Sequence, residues 1–441
     1  MFKYDIITTY RKRGDKNMKL SFKYVIKKTN DKNLDIVKDL IWHSEKVSNM
    51  LLYEIKENKR DIENIKSLNL ALSKIYKEYR ENNWHSKYLH SHMLEYSIKN
   101  TLSNYKSYLE SKKLYYKDKS KLKGIPNLPR YKNDLKSEIV FTNYAIRVVN
   151  NKIKLSLSKE MKEKYKLDSL NFLINGKLRK LVDFENIKMI KIRIKYNKIE
   201  LNFIYEKEIK NVNTNNSNIM SIDLGLNNIV ACTNKDNNKS LLISGKPLKS
   251  KNKYYNEKIS HLQKINMLAL KDSKKHKNTK RINILYNKRK NYINTYLHKV
   301  SKMVIDYAEE NNVSIIVIGD IEGIKQNMNY NKNFVQIPLQ ELVGKIKYKA
   351  ELNNIKVEFI KETYTSGVSF LDNEDIIKEN YNKNRRITRG LFISNKGIKI
   401  NADINGSLNI LKKYINSSPN QEFKIAMDNG REQRPLKKKV A

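Results

Sequence analysis

The 441-residue chain is too long for one hydrophobic core and divides into two or three domains of ordinary size. Its 89 Lys plus Arg against 46 Asp plus Glu leave a formal charge of +43, more than internal pairing can neutralise, so a polyanion is the expected partner. No apolar run approaches the ~20 residues of a membrane-spanning helix and no signal peptide opens the chain, which favours nucleic acid over a membrane surface. The single cysteine, Cys232, excludes an internal disulfide and any multi-cysteine zinc site and fits a reducing cytoplasm. Abundant Lys, Asn and Ile is what an AT-rich genome yields, but base composition does not account for so large an excess of bases over acids.

Residues 18–29 alternate apolar and basic side chains over part of their length, predicting a half-exposed strand with a cationic outer face that joins a sheet completed much later. From Leu34 the period becomes helical. Leu34, Val37, Leu40, Ile41, Leu51, Leu52 and Ile55, then Ile65, Leu68, Leu72, Ile75 and Tyr79, predict a helical bundle from 34 to about 115. Trp84, Tyr88, Tyr96, Tyr105 and Tyr108 fall within or beside these helices, as core packing or, next to Lys and Arg, as base-stacking rings. His90 and His92, two residues apart on a helix, are expected on different faces and therefore not to share a metal.

KGIPNLPRYKN, 123–133, holds two of the six prolines and reads as a linker. The β pattern then returns in EIVFTN (138–143), AIRVVNNKIKLSL (145–157) and KMIKIRIKYNKIELNFIYEKEI (188–209), with hairpins at Asn150-Asn151 and Asn197-Lys198. Lys and Arg alternate here with Ile, Leu and Phe. This predicts a sheet with one apolar face and one basic face, suited to a phosphate backbone or simply solvated. The Asn-rich stretch 211–218 reads as a second linker, and a further domain begins near 218.

That domain opens with NIMSIDLGLNNIVACT, 218–233, a hairpin whose first strand carries Asp223, with Gly225 at the turn before Ile229, Val230 and Ala231. A carboxylate there is costly to bury unless it holds a cation or a hydrogen-bond network. A third strand is expected at 240–243, then a helical excursion over 254–311 with Ile259, Leu262 and Ile265 on one arm and Ile293, Leu297, Val300, Val304 and Ala308 on the other. A lysine-rich turn, 271–281, joins the arms. VSIIVIGD, 313–320, is continuously apolar and so buried on both faces. A helix from about Pro338 to Asn353 leads to a strand at 355–362, then to a polar loop with arginines and a last helix, 402–415; the tail REQRPLKKKVA is expected to be disordered.

Three meandering strands followed by a β-α-β crossover, with acids on the first strand and on a late helix, outline an RNase H-like domain. At IDLGLNNIVA (222–231), VIGDIEG (317–323), NFVQIP (333–338), ETYTSGVSFLD (362–372), RRITRGLF (385–392) and NADINGSLNIL (401–411) the sequence resembles the RuvC-type nuclease domain of the TnpB family of transposon-encoded RNA-guided endonucleases. The likeness covers roughly 120–411. It implies an α+β multi-domain protein: a basic, β-barrel-like N-terminal domain (1–33 and 119–214) with an inserted helical bundle (34–118), then an RNase H-like (RuvC) α/β domain (215–415). That domain would carry a helical insertion at about 254–311 and a second insert at about 363–400, followed by a basic tail, 416–441.

The resemblance further implies hydrolysis of DNA phosphodiesters by two Mg²⁺ (or Mn²⁺) ions; such hard cations require carboxylate oxygens. Asp223 and Asp403 match the family's first and third acids, although Asp403 could also cap the last helix. The second acid usually ends the fourth strand, where this chain has Gly319 before Asp320. Asp320, Glu322 and Glu362 can each replace it. Glu362 is preferred, because its strand should neighbour 313–320 at a spacing of ~4.8 Å; the remaining reading is a dead site.

Relatives often carry a zinc ribbon before the last acid. Here Ser369 and the ISNK segment (393–396) stand at those positions, so zinc is not expected. Packing of Phe370, Leu371, Leu391 and Phe392 would hold the insert, with Arg385, Arg386 and Arg389 facing nucleic acid or solvent; Arg130 and Lys132 are the other expected nucleic-acid contacts. The implied partners are a guide RNA and target double-stranded DNA, with no membrane. A nuclease-inactive RNA-guided repressor and a generic basic RNA-binding protein are the alternatives, and the last leaves Asp223 and Asp403 unexplained.

Overall fold

The computed structural model describes residues 17–26, 31–57, 59, 68–122, 124–195, 198–208, 218–236, 240–269, 278–320, 337–388, 390–417 and 435–440. The chain divides into two compact units, Met1–Lys207 and Glu208–Ala441. Among the described residues no helix is long and apolar enough to cross a membrane.

In the first unit the predicted early strand is β1 (Asn17–Val25). It joins a four-stranded sheet of order β1-β7-β6-β2, built with β2 (Ile139–Thr142), β6 (Ile187–Lys195) and β7 (Lys198–Glu208). A second sheet of three antiparallel strands comprises β3 (Ile146–Val149), β4 (Lys152–Ser156) and β5 (Ser169–Leu173). Both are open among the described residues. The closed, barrel-like arrangement expected from the resemblance is therefore corrected to two open sheets.

Asn150 and Asn151 connect β3 to β4 with φ of 47° and 57°, the two left-handed residues that a tight type I′ hairpin requires. On β4 and β5 the expected alternation appears: Ile153, Leu155, Leu170 and Phe172 are buried while Lys152, Lys154 and Asn171 are exposed. The basic-face expectation does not extend to β7, which buries Ile199, Glu200 and Leu201 in succession. Glu200 is tolerated there because Lys23 lies 3.3 Å and Arg193 2.7 Å from its carboxylate.

The helical part consists of α1 (Asp31–Lys56), α2 (Leu68–Asn82), the short α3 (Trp84–Lys87) and α4 (Ser91–Lys117). The apolar stripe Ile36, Val37, Leu40, Ile41, Val47, Leu51 and Ile55 of α1 is buried, as is Met93, Leu94, Ile98 and Leu102 of α4, and these two helices pack together. Ile65 lies outside the described residues. Two short helices, α5 (Lys159–Tyr165) and α6 (Gly176–Leu181), complete this unit.

The second unit is built on a six-stranded sheet of order β12-β11-β8-β9-β10-β15, beside which β13 (Phe392–Ile393) and β14 (Lys399–Ile400) form a separate antiparallel pair. β8 (Asn218–Asp223), β9 (Asn228–Asn234) and β10 (Leu241–Ser244) form the expected antiparallel meander; β11 (Val313–Asp320) and β12 (Lys356–Lys361) add parallel strands beside β8. The sixth strand, β15 (Leu436–Lys438), corrects the expectation of a disordered tail: it pairs in parallel with β10 and supplies backbone partners to an otherwise open edge.

Period-two alternation gives the sheet two apolar faces. Met220, Ile222, Ile316 and Ile318 point to one face, where they pack with Leu297, Val300 and Val304 of α8 (Lys280–Glu310) and Leu342 and Ile346 of α9 (Leu339–Leu352). Ile219 and Val317 point to the other, against Ile410, Leu411 and Ile415 of α10 (Ala402–Asn416). The predicted excursion is the pair α7 (Lys246–Ala269) and α8, which pack on each other.

Candidate active site

The alternation that buries Ile219 beneath α10 places Ser221 and Asp223 on the same face of β8. Ser221 Oγ donates to the Ser407 carbonyl at 2.7 Å, tying this strand to the middle of α10. Asp223 ends the strand, where the close approach leaves no room for a side chain at Gly406: a Cβ there would lie 2.7 Å from Asp223 Oδ2. Burial first, then the carboxylates of Glu362 and Asp403, push the Asp223 carboxyl well above the ordinary range, with the Arg386 guanidinium opposing.

Glu362 arrives from the neighbouring strand. β11 and β12 pair in parallel with Gly319 opposite Ile360, and Glu362 shares the parity of Ile360, which packs on the α10 face. Its side chain folds over Gly319, where an added Cβ would meet the carboxyl carbon at 2.5 Å. Glu362 Oε1 is buried with no hydrogen-bond partner among the described residues. Burial, then Asp320, raise this carboxyl to about 7.

Asp403 sits in the first turn of α10. Asn401 is the cap, its Oδ1 accepting from the amides of Asp403 and Ile404 at 3.0 and 3.3 Å. The capping reading of Asp403 is thereby corrected, and its carboxylate is left for other work at a helix N-terminus, where negative charge is favoured. Oδ1 accepts from Arg386 at 2.9 Å and Oδ2 from Asn228 at 2.8 Å.

Asp223, Glu362 and Asp403 thus meet around one end of the sheet. Asp320 ends β11 with the parity of Ile316 and Ile318, which face away from α10, and it acts on Glu362 through its charge. Glu322 and Arg389 lie outside the described residues. The three carboxylates offer only hard oxygen donors, and the partnerless Glu362 oxygen is the kind of orphan a divalent cation would satisfy. Among the described residues no group of three or more His, Cys, Asp or Glu side chains is gathered closely enough to hold one ion, and both Asp403 oxygens are engaged, by Arg386 and by Asn228.

Two of the predicted nucleic-acid arginines pair with carboxylates in this structure. Arg386 reaches Asp403, and Arg385 Nη1 donates to both Glu374 oxygens at 2.8 and 2.7 Å. Glu374 also accepts from the amide of Ser369 at 2.9 Å and from Asn395 Nδ2 at 2.8 Å, joining Ser369 to the ISNK segment. Burial raises its carboxyl, but the Arg385 and Ser369 hydrogen bonds and the Arg385 charge outweigh this and hold it below the ordinary range.

Apolar packing contributes as expected, with Phe370 and Phe392 buried against Ile404 and Leu408. A polar row on α10 adds to it. Asn405 Nδ2 donates to the Val368 carbonyl, Asn409 Nδ2 to those of Thr365 and Val368, each at 2.8 Å, and Lys412 Nζ to the Asn373 and Glu374 carbonyls at 3.0 Å. Sequence reading passed over these residues. Their i, i+4, i+7 spacing inside an apolar helix was the available signal, since buried amides are retained where they are hydrogen-bonded.

Elsewhere, Arg130 is exposed. Lys132 has an internal anchor: its Nζ lies 3.2 Å from Ser48 Oγ and its backbone is bracketed by Asn49 at 2.8 and 2.6 Å. The histidine expectation is corrected. His90 is the N-cap of α4 rather than part of it, so its ring turns to stack with His92 at 5.6 Å, and His92 stacks in turn with Tyr144 at 5.8 Å.

Two family models match parts of the chain: OrfB_IS605, a probable transposase, over residues 202–325, and the Cas12f1-like TNB domain over 340–410. The TnpB-like protein ORF457 of Acidianus two-tailed virus is 26% identical over 221 residues, 47% of this chain and 44% of that protein, so the match spans less than half of the curated relative. Among solved structures, a chain of a Cas12f1-sgRNA-target DNA complex aligns with a TM-score of 0.58 at 18% identity, covering 85% of this chain and 82% of that one. A chain of a CRISPR-Cas12f ternary complex gives a TM-score of 0.37 at 16% identity, over 88% and 82% of the two chains.

Proposed function

We propose that this chain, whose matches are to TnpB-like and Cas12f1-like proteins, is a TnpB-family RNA-guided DNA endonuclease with Asp223, Glu362 and Asp403 as its catalytic carboxylates. The observation that carries the reading is the convergence of Asp223 and Glu362 from neighbouring parts of one sheet, with Gly319 vacating the position between them. The Cas12f1 chain named above was solved in a complex with sgRNA and target DNA, and the charge of +43 suits such partners.

Two Mg²⁺ or Mn²⁺ ions, when bound, would activate water and stabilise the leaving oxygen and the developing phosphorane charge. Asp223, Glu362 and Asp403 would hold them. Arg386, which donates to Asp403 at 2.9 Å, would offer its guanidinium to a scissile phosphate held beside these carboxylates. Asn228 orients Asp403. Guide pairing would supply sequence specificity, while the protein holds backbones by shape and charge.

Expressing the chain with its native flanking DNA, isolating the bound RNA and supplying a matched DNA duplex with Mg²⁺ tests this. A discrete noncoding RNA and cleavage that follows its sequence are expected, with Asp223→Ala, Glu362→Ala and Asp403→Ala each abolishing cutting while retaining guided binding. Guided binding by the native chain with no cutting would favour the repressor reading, for which the engaged state of Asp403 is the supporting observation.

A further inference from the structure

The outward face of α1 carries rings instead of the usual charges. Trp42, Lys46, Met50 and Tyr53 follow one another at helical spacing, and Trp42, Met50 and Tyr53 are 37%, 42% and 45% exposed. Trp84, at the start of α3, is 55% exposed beside them. His85 lies between the two indoles, its ring 5.1 Å from Trp42 and 4.8 Å from Trp84, both edge-on.

The platform is braced from beneath. His43 is buried, stacks on Tyr88 at 4.2 Å and 8°, and its Nδ1 lies 3.0 Å from His85 Nδ1. Tyr88 and the two histidines therefore fix the indoles from the protein side while leaving their outer surfaces in water. Exposed tryptophans on a rigid support are a costly arrangement for a soluble face and a suitable one for a flat, apolar ligand.

Cations thread this face. Lys46 Nζ lies 5.5 Å from the Trp42 ring, Lys59 4.6 Å from Tyr53, and Lys56 4.2 Å from Tyr131. Three acids of α1 are engaged within the unit: Glu45 accepts from the amides of Leu135 and Ser137, Glu54 from the Tyr79 hydroxyl, and Asp39 pairs with Lys164, while Asp35 near the start of the helix and Glu57 just beyond its end are exposed. Rings for bases and ammonium groups for phosphates, alternating along one line, match a single nucleic-acid strand. A second copy of the chain is the poorer occupant, since self-association of this face would bring lysines against lysines.

We propose that Trp42 and Trp84 form a stacking site for unpaired bases of single-stranded RNA, with Lys46 on the adjoining phosphate. The choice of RNA over the DNA being cut rests on the function proposed above, because the first unit carries none of the catalytic carboxylates and its ligand is then the guide.

Trp42 and Trp84 are the only two tryptophans of the chain, so tryptophan emission reports on this site alone. The full-length protein, freed of bound nucleic acid, is titrated with a labelled eight-nucleotide single-stranded RNA and with an abasic oligomer of equal charge, following emission and anisotropy together. Saturable quenching by the RNA and none by the abasic oligomer is expected. Trp84→Leu should weaken binding roughly tenfold and Trp84→Phe restore most of it, as for a base stacked on a ring. Lys46→Gln should flatten the salt dependence. RNA binding without a change in emission, quenching by the abasic oligomer, or quenching by single-stranded DNA but not RNA would each overturn the site. Emission that changes with protein concentration alone, alongside dimers in sedimentation, would assign the face to a second copy. Guided cutting is scored separately, on protein that keeps its native RNA and is given a matched duplex: quenching of the stripped protein without cutting by the loaded one upholds the site and counts against the endonuclease, and cutting without quenching does the reverse.

Discussion

Gly319 and Glu362 share one volume: the missing side chain on β11 is the space that the Glu362 carboxylate fills from the end of β12. The Glu362 carboxylate can take this place only because position 319 carries no side chain. Gly319→Ala should displace Glu362 and abolish cutting while costing about 1–3 kcal/mol through overpacking. Cleavage rate and denaturant midpoint, measured together, check this; an active Gly319→Ala protein would remove Glu362 from the site.

Glu362 also predicts a pH dependence. Its carboxyl rises from 4.5 to about 7 in the fold, so between those values the native state binds the extra proton and stability falls as pH rises. Below about 4.5 both states are protonated and the penalty vanishes. Cation-free protein in chelator should therefore melt lower at pH 8 than at pH 5, by on the order of 2–4 °C for each kcal/mol in a domain of this size. Glu362→Gln should flatten that trend, and added Mg²⁺ should reverse it by favouring the ionised carboxylate.

Arg386 predicts a shift of the pH–rate profile. Its guanidinium lowers the Asp223 carboxyl against the burial and the acids that raise it, so Arg386→Gln should raise Asp223 further. The acidic limb of the cleavage profile would move to higher pH, with the plateau reduced by roughly an order of magnitude or more through loss of a phosphate ligand. A profile that keeps its limb in place would show that Arg386 acts on Asp403 alone.

Glu374 predicts the behaviour of the insert. Removing it in Glu374→Ala leaves the half-buried Arg385 without its carboxylate and frees Ser369 and Asn395, which should cost about 2–4 kcal/mol, somewhat less than a fully buried pair. Thermal melts with and without a zinc chelator should coincide in the native chain. A chelator-sensitive melt would mean that a metal, and not this carboxylate, ties the insert together.

Much of the second unit was legible in advance because strands and helices announce themselves through local period. The meander at 218–244, the apolar β11 and the last helix follow from alternation and helical spacing, and the same pattern singled out Asp223 as an acid among apolar neighbours. The preference for Glu362 over Asp320 needed one further step, strand adjacency, which parallel topology supplies. Composition alone pointed to a polyanionic partner, because +43 is a sum over residues and needs no fold.

What only the tertiary structure decided are the pairings between residues far apart in the chain. Arg385 and Arg386 look like surface cations in sequence, yet they pair with Glu374 and Asp403 across 11 and 17 residues. Asn401 takes the cap and releases Asp403; β15 returns to β10 from the far end of the chain; Asn405, Asn409 and Lys412 find carbonyls about 40 residues away. A side chain's period reports which face it occupies. Its partner depends on what that face meets, and only the assembled sheet and helices determine that.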